Sequence, residues 1–511
     1  MIVKRSLHAL RLMGASLLLM SATLSATHAQ APADYGKTHE LVVALPYALQ
    51  TLDPAVGGNL RGDLSIIASI YSPLTRLDGE GKLVGVLAKD WKQESDTRWV
   101  FDLRDDVVFS NNVPFDAQVV KWNIERILSS EKPSWIVSSM KAVDKVEVLS
   151  PHQVAFTLKA PDIEFPKRLA GIFYLEPEWT KSHNPAIEAL GTGPYKLVSY
   201  NPEGEVRLES NEHYFGKAAP FTKAQFRVVV DAAAKINGLK SGEIDAAAVI
   251  APQDLAQLES NGNLVAGARP STRVQIIRFN TNIKPLDDAR VRQALNYALD
   301  KEAITKALFK GLVSPANSQI ITSFHEGYNT DLKPWPYDPE KAKALLAEAG
   351  YPDGFDVEMV FGKGTYVGGE QAAQIIAAQL AAVGVRAQLN ILPASSHAER
   401  AASDKAAGLT WFGYADTASI AAETLTYLGS THFQTIGPVP AAFDEAVKQA
   451  KGALTKDAEL ASVKRATEVA SDEALAVFLW DLPQTYAYSN KVVWDIRRDD
   501  WTLPYEIKPA E

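Results

Sequence analysis

The sequence predicts an α/β protein built from two or three lobes. The chain has 511 residues, too many for one ordinary hydrophobic core. Apolar residues make up 46% and charged residues 22%, the balance of a globular chain. Residues 338–392 read as helix, strand, helix, strand, and a strand–helix–strand run of that length implies a parallel pair with a right-handed crossover.

The elements follow in chain order. Residues 1–31 read as a secretory signal: Lys4, Arg5 and Arg11 form a basic start, Leu12 to Leu24 an apolar stretch, and Ala29-Gln30-Ala31 a small-x-small cleavage site. The apolar stretch is too short to span a bilayer comfortably. The segment carries three bases and no acid, so its removal takes the net charge from −9 to −12. Ala31 to Lys37 reads as a disordered start of the mature chain. Leu41 to Leu45 is a strand, followed by the Leu52-Asp53-Pro54 loop. Then come a helix ending at Tyr71-Ser72-Pro73-Leu74 and a tight turn from Asp78 to Gly81. Trp99, Phe101 and Leu103 alternate with Val100, Asp102 and Arg104, the period of a half-buried strand, which Val107 to Phe109 continue. Asp116 caps a helix with Val120, Ile124 and Ile127 on one face. Val143–Val148 and Val154–Leu158 flank a Ser150-Pro151-His152 turn, a hairpin pattern.

Gly191-Thr192-Gly193-Pro194-Tyr195 is a glycine turn into a strand; it lacks the GxGxxG spacing of a dinucleotide site. Ala232 to Lys240 is a helix stopped by Gly242, with strands at Ile244–Val249 and Val274–Phe279. Asp288 and Asp300 cap two further helices. Asp338 caps a third, with Pro339 at its first position, where no N–H is needed, and Gly350 ends it. Phe355–Phe361, Gln371–Val383 and Val385–Ile391 complete the strand–helix–strand unit. Ala476–Trp480 and Thr485–Tyr488 read as two strands around Asp481 to Gln484.

Composition excludes several functions. An acidic surface argues against nucleic acid as the main partner. There is no cysteine, so neither a disulfide, a thiol nucleophile nor a lipid-bearing cysteine is available. No GxSxG, HExxH or P-loop string occurs. The nine histidines are scattered without metal-ligand spacing. No enzyme, metal or cofactor is expected.

Several segments resemble, in order, the family 5 periplasmic substrate-binding proteins of ABC importers, the peptide, nickel and opine type. They are Leu52-Asp53-Pro54, Tyr71 to Ile127, Gly191 to Lys196, Leu239 to Asp245 and Phe279-Asn280-Thr281-Asn282 with Val291 to Leu295. Tyr337 to Ala342 and Gln379-Leu380 with Gly384-Val385 complete the set. Each is weak alone; their collinear sum is specific. The resemblance implies the two-lobed periplasmic-binding-protein fold of the large peptide binders. The N-terminal lobe would comprise 32–275 plus 484–511, with a subdomain inserted at about 74–189, and the C-terminal lobe 276–483. It also implies a monomer that hands its solute to permease subunits driven by cytoplasmic ATPases, or a periplasmic sensor of the same fold. Gly191, Gly193 and Arg292 read as scaffold.

The family's pocket segment matches Leu409 to Asp416. By that resemblance Asp416 accepts a ligand ammonium, and Trp411, Phe412 and Tyr414 supply an aromatic wall. Arg273 and Gln275 at the first lobe crossing, Trp480 and Asp481 at the second, and Tyr47 and Gln50 after the first strand are further contacts. Two departures from the dipeptide binders stand out. Asp416 is followed by Thr417-Ala418-Ser419, and Gly368-Gly369-Glu370 replaces the arginine that fixes the peptide carboxylate. These departures argue against a simple dipeptide; the resemblance implies a short peptide or amino-acid conjugate as ligand, with an opine, oligosaccharide or metal chelate as the alternative.

Overall fold

The computed structural model describes residues 30–49, 51–56, 61–131, 134–401, 403, 406–414, 418–430 and 437–511. A ten-stranded sheet runs through both lobes. Its order is 385–392, 355–362, 409–414, 264–279, 476–489, 246–248, 40–45, 223–228, 205–210 and 195–201. The two central strands, Leu264–Phe279 and Ala476–Ser489, are the longest and belong to both lobes. They pair antiparallel from Leu264–Ser489 to Pro270–Pro483, lose register, and resume at Val274–Asp481. Two facing prolines explain the break, since neither has an N–H to give the ladder. The Ser271 hydroxyl spans the gap by donating to the Leu482 carbonyl at 2.6 Å. The expected pair of strands around Asp481 is thus one strand with a register shift.

The C-terminal half buries a core on each face of the sheet. One holds Ile277, Leu295, Phe361, Ile376, Trp411 and Trp480, the other Val274, Ile276, Phe443, Val463 and Phe478. Strands 355–362 and 385–392 pair in parallel, as predicted. Asp288, Asp300 and Asp338 each accept a first-turn backbone N–H, the capping role read from the sequence. The N-terminal lobe has its own core around Leu41, Ile67, Phe226 and Trp494. The insertion forms a separate four-stranded antiparallel sheet, ordered 88–95, 98–103, 153–158 and 143–150, with Phe101, Ile124 and Phe156 inside. Asp116 caps its helix by accepting from the Gln118 and Val119 amides.

Three expectations need correction or refinement. Ala31 to Lys37 is held in place: the Ala31 N–H donates to the Ala510 carbonyl at 2.9 Å, and a turn of helix covers Tyr35–Thr38. Tyr35 stacks on His39, which bonds Asp245. The anchoring comes from the far end of the chain, beyond the reach of local reading. The strand at Trp99 stops at Leu103, because Arg104 to Asp106 turn away; Val107 and Phe109 are buried in a small bridged turn, where the Phe109 N–H donates to the Val113 carbonyl at 2.8 Å and the Val107 carbonyl accepts from the Phe115 N–H at 3.0 Å. Gly193 is a close approach, since a Cβ there would lie 2.5 Å from the Ile70 carbonyl carbon. Arg292 is scaffold as expected, its guanidinium donating to four backbone carbonyls.

Candidate functional site: the cleft between the lobes

Strand pairing sets Gln275 opposite Trp480 on one side and Gly413 on the other. Gln275 accepts the Trp411 indole N–H at 2.5 Å. Trp411 is fully buried, edge-on to Trp480 and Phe361 with ring centroids 5.7 and 5.2 Å away. These three side chains form a rigid floor beneath the cleft; Trp411 itself presents no exposed surface to a ligand. Gly413 has to be glycine, because a Cβ would lie 2.1 Å from the Gln275 amide nitrogen and 2.7 Å from the Tyr366 ring. Its N–H donates instead to the Tyr366 hydroxyl at 2.5 Å. Phe412 and Tyr414 point to the opposite face by strand alternation. There Phe412 lies beneath the Arg278 guanidinium and Tyr414 stacks on Tyr427.

Arg273 stands in the register break and touches both lobes. It donates to the Gly413 carbonyl at 2.9 Å and pairs with Asp500 at 3.5 Å. Burial alone would weaken its charge, but Asp500, Tyr366 and Tyr47 more than offset that and hold it protonated. Asp481 is different. It is half-buried beside Tyr328, and its side chain has no cationic partner among the described residues. Burial pushes its carboxyl up to about 7. Asp416 and Gln50 lie outside the described residues.

A cavity of about 550 Å³ opens between the insertion, the register break and the C-terminal lobe. Trp91, Trp99, Thr272, Phe324, Ser419 and Arg498 line it. Its volume falls within the range of small-molecule sites. Around its rim the lobes meet through ion pairs. Arg168 of the insertion bonds Asp162 at 2.5 Å on its own side and Glu423 of the C-terminal lobe at 2.8 Å. Lys167 bonds Glu326 at 3.2 Å, and Lys456 reaches across to Glu164 of the insertion while also bonding Glu326 of its own lobe. Burial opposes ionisation of Glu423, yet Arg168 and Lys451 hold its pKa down at about 2. Among the described residues no group of three potential metal ligands forms, and no helix is long and apolar enough to cross a membrane.

Sequence reading brought Arg273, Gln275, Trp411, Trp480 and Asp481 to one place, and Tyr47 beside Arg273. It missed Thr272, Phe324 and Arg498, and the rim pairs. Two signals were present: the prolines at 270 and 483 inside strand-like runs, and the compact charge cluster Arg497-Arg498-Asp499-Asp500.

The family model "Bacterial extracellular solute-binding proteins, family 5 Middle" matches residues 82–434. The glutathione-binding protein GsiB of Salmonella paratyphi A is 32% identical over 365 residues, 70% of this chain and 70% of that one. GsiB of Escherichia coli O1:K1 matches at the same identity and coverage. Among solved structures, the periplasmic binding protein DppA of Helicobacter pylori with the peptide STSA superposes with a TM-score of 0.83. The identity is 21%, covering 92% of this chain and 98% of that one. NikZ of Campylobacter jejuni with Ni(L-His) gives 0.80 at 23% identity, covering 92% and 99%.

Proposed function

The chain belongs to the bacterial extracellular solute-binding proteins, family 5, and from that membership we propose that its solute is a short peptide or amino-acid conjugate, captured between the lobes. A family 5 protein is the solute-binding component of an ABC importer; what remains to be assigned is the solute, the site and the compartment. The observation that carries the reading is the open cavity of about 550 Å³ between the lobes, on whose wall the Thr272 hydroxyl and the Arg498 Nε have no partner among the described residues. The identity to glutathione-binding proteins supports a peptide-like cargo. Asp416, by its place in the pocket segment, and Asp481, by its lack of a cationic partner, are the acceptors for a ligand ammonium. A buried charge-assisted hydrogen bond of that kind contributes about 1.5–3 kcal/mol.

The lobes hinge at Pro270–Val274 and Asp481–Pro483, where the central ladder is interrupted. The leader 1–31 directs export to the periplasm, and the mature protein acts as a monomer without catalysis. Native mass spectrometry of the mature protein from the periplasm, with denaturation to release what it holds, tests the reading. Peptide masses, glutathione included, support it. A single non-peptide mass overturns the peptide assignment and names the solute.

A further inference from the structure

We propose that Arg498, backed by the hydroxyl of Thr272, reads a carboxylate of the bound solute and so determines specificity in the interlobe cavity. The proposal rests on the reading that the solute lies there.

The wall of this cavity has an uneven supply of hydrogen-bonding groups. Its acids are all engaged. Asp78 accepts the Glu80 and Lys82 amides, and Asp499 is paired with Arg497 at 2.6 Å. Glu164 and Glu326 are held by Lys167 and Lys456. Glu80 lies between Arg269 and Arg498. The groups left over include two donors. The Thr272 hydroxyl is buried, with the residue 4% exposed, and has no partner among the described residues; the same holds for the Arg498 Nε. A buried polar group without a partner is costly, and both residues line this one cavity. A ligand ammonium finds no free acceptor among the wall carboxylates, whereas a carboxylate finds two donors.

Arg498 is also held in position for the task. Its guanidinium carbon lies 4.2 Å from the centre of the Phe324 ring, across the cleft on the other lobe. This cation–π contact restrains the guanidinium and leaves the Nε N–H without a competing partner among the described residues. Its ionic partner among the described residues, Glu80 at 3.0 Å, is 63% exposed and sits in the Asp78–Gly81 turn. A solvated partner of that kind holds weakly and yields to a desolvated carboxylate. Arg273, by contrast, is committed to Asp500 and the Gly413 carbonyl.

The test is calorimetric titration of the mature protein with glutathione and trialanine and with their C-terminal amides. Wild type should bind the free acids at least tenfold more tightly than the amides. Arg498→Gln should lower the acids to the affinity of the amides, and Arg498→Lys should fall between. Thr272→Val should weaken the acids several-fold. Glu80→Gln should leave acid binding unchanged or tighter; if Arg498 acted only through its pair with Glu80, this variant would weaken binding as much as Arg498→Gln. An unchanged acid-over-amide ratio in a folded Arg498→Gln overturns the proposal. If wild type binds neither peptide, the peptide reading fails and the solute that mass spectrometry finds in wild type decides the matter. A carboxylate-bearing solute lost from Arg498→Gln supports the subsite. A solute retained undiminished, or one without a carboxylate, overturns it.

Discussion

The rim of the cleft and its interior use charge in opposite ways. At the rim the acids and bases are paired, Arg168 with Asp162 and Glu423, and Lys456 with Glu164, Glu326 and Glu459. Inside, the Thr272 hydroxyl and the Arg498 Nε have no partner among the described residues; neither do the Gln275 amide nitrogen and the Trp480 indole N–H in the floor beneath, and Asp481 has no ion-pair partner among those residues. Paired charges hold the lobes together whatever lies between them. Unpaired groups favour closure only around a solute that satisfies them. The contrast separates the energy of closing from the energy of recognition.

Breaking the rim should give the largest effect. Arg168→Leu removes a buried cation, leaves Asp162 without an ionic partner and leaves Glu423 to Lys451 alone, which costs about 3 kcal/mol, read from the denaturant midpoint. Arg168→Leu/Glu423→Leu should recover part of that loss. If Arg168→Leu leaves the midpoint unchanged, the rim contributes nothing to closure. Because the pKa of Glu423 is depressed, its contribution is present above the usual carboxylate range and is lost as pH falls through about 2. The closed form, followed by small-angle scattering, should therefore persist to mildly acidic pH.

The interior comes next. Asp416→Ala should weaken an amine-bearing ligand such as glutathione by tenfold or more in calorimetry. Unchanged affinity would assign the ammonium to Asp481 instead.

Asp481 itself gives a smaller, pH-dependent signal. Its folded pKa is raised to about 7, so the stability linked to its protonation is full in acid and lost as pH climbs through 7. Asp481→Asn should melt higher than wild type at pH 8 and no higher at pH 4. Equal shifts at both values would mean that Asp481 is not burdened by its burial. The smallest effect belongs to Lys464→Ala, whose pair with Asp331 is exposed on both sides. No shift in melting temperature is expected, and a clear loss would show that exposed pairs count here as the rim pairs do.

What could be read from the sequence was local or periodic. The caps at Asp116, Asp288, Asp300 and Asp338 are set by a side chain meeting an amide two or three residues on, so a short window contains the whole interaction. The parallel unit at 355–391 needs only its period and its length. The collinear motifs carried the family, and with it the lobes. Gln275 and Trp480 were legible as neighbours of the crossings and Trp411 as part of the pocket segment, but which of them is exposed was not. Trp411 turned out to be floor because its strand pairs with 264–279 and its indole bonds Gln275, residues over 100 positions away.

The sequence by itself determined the element order, the helix ends, the export signal pattern and the exclusion of disulfide chemistry. These depend on residue type and near neighbours alone. Only the tertiary structure decided that Ala31 docks on Ala510, that Arg168 meets Glu423, and that Arg498 lies over Phe324 across the cleft. Each of these joins residues 150 or more positions apart on different elements. A charge or a ring has no direction in a sequence; it acquires one when the sheet twists, the lobes close and a neighbour from the other lobe arrives within hydrogen-bonding or stacking distance.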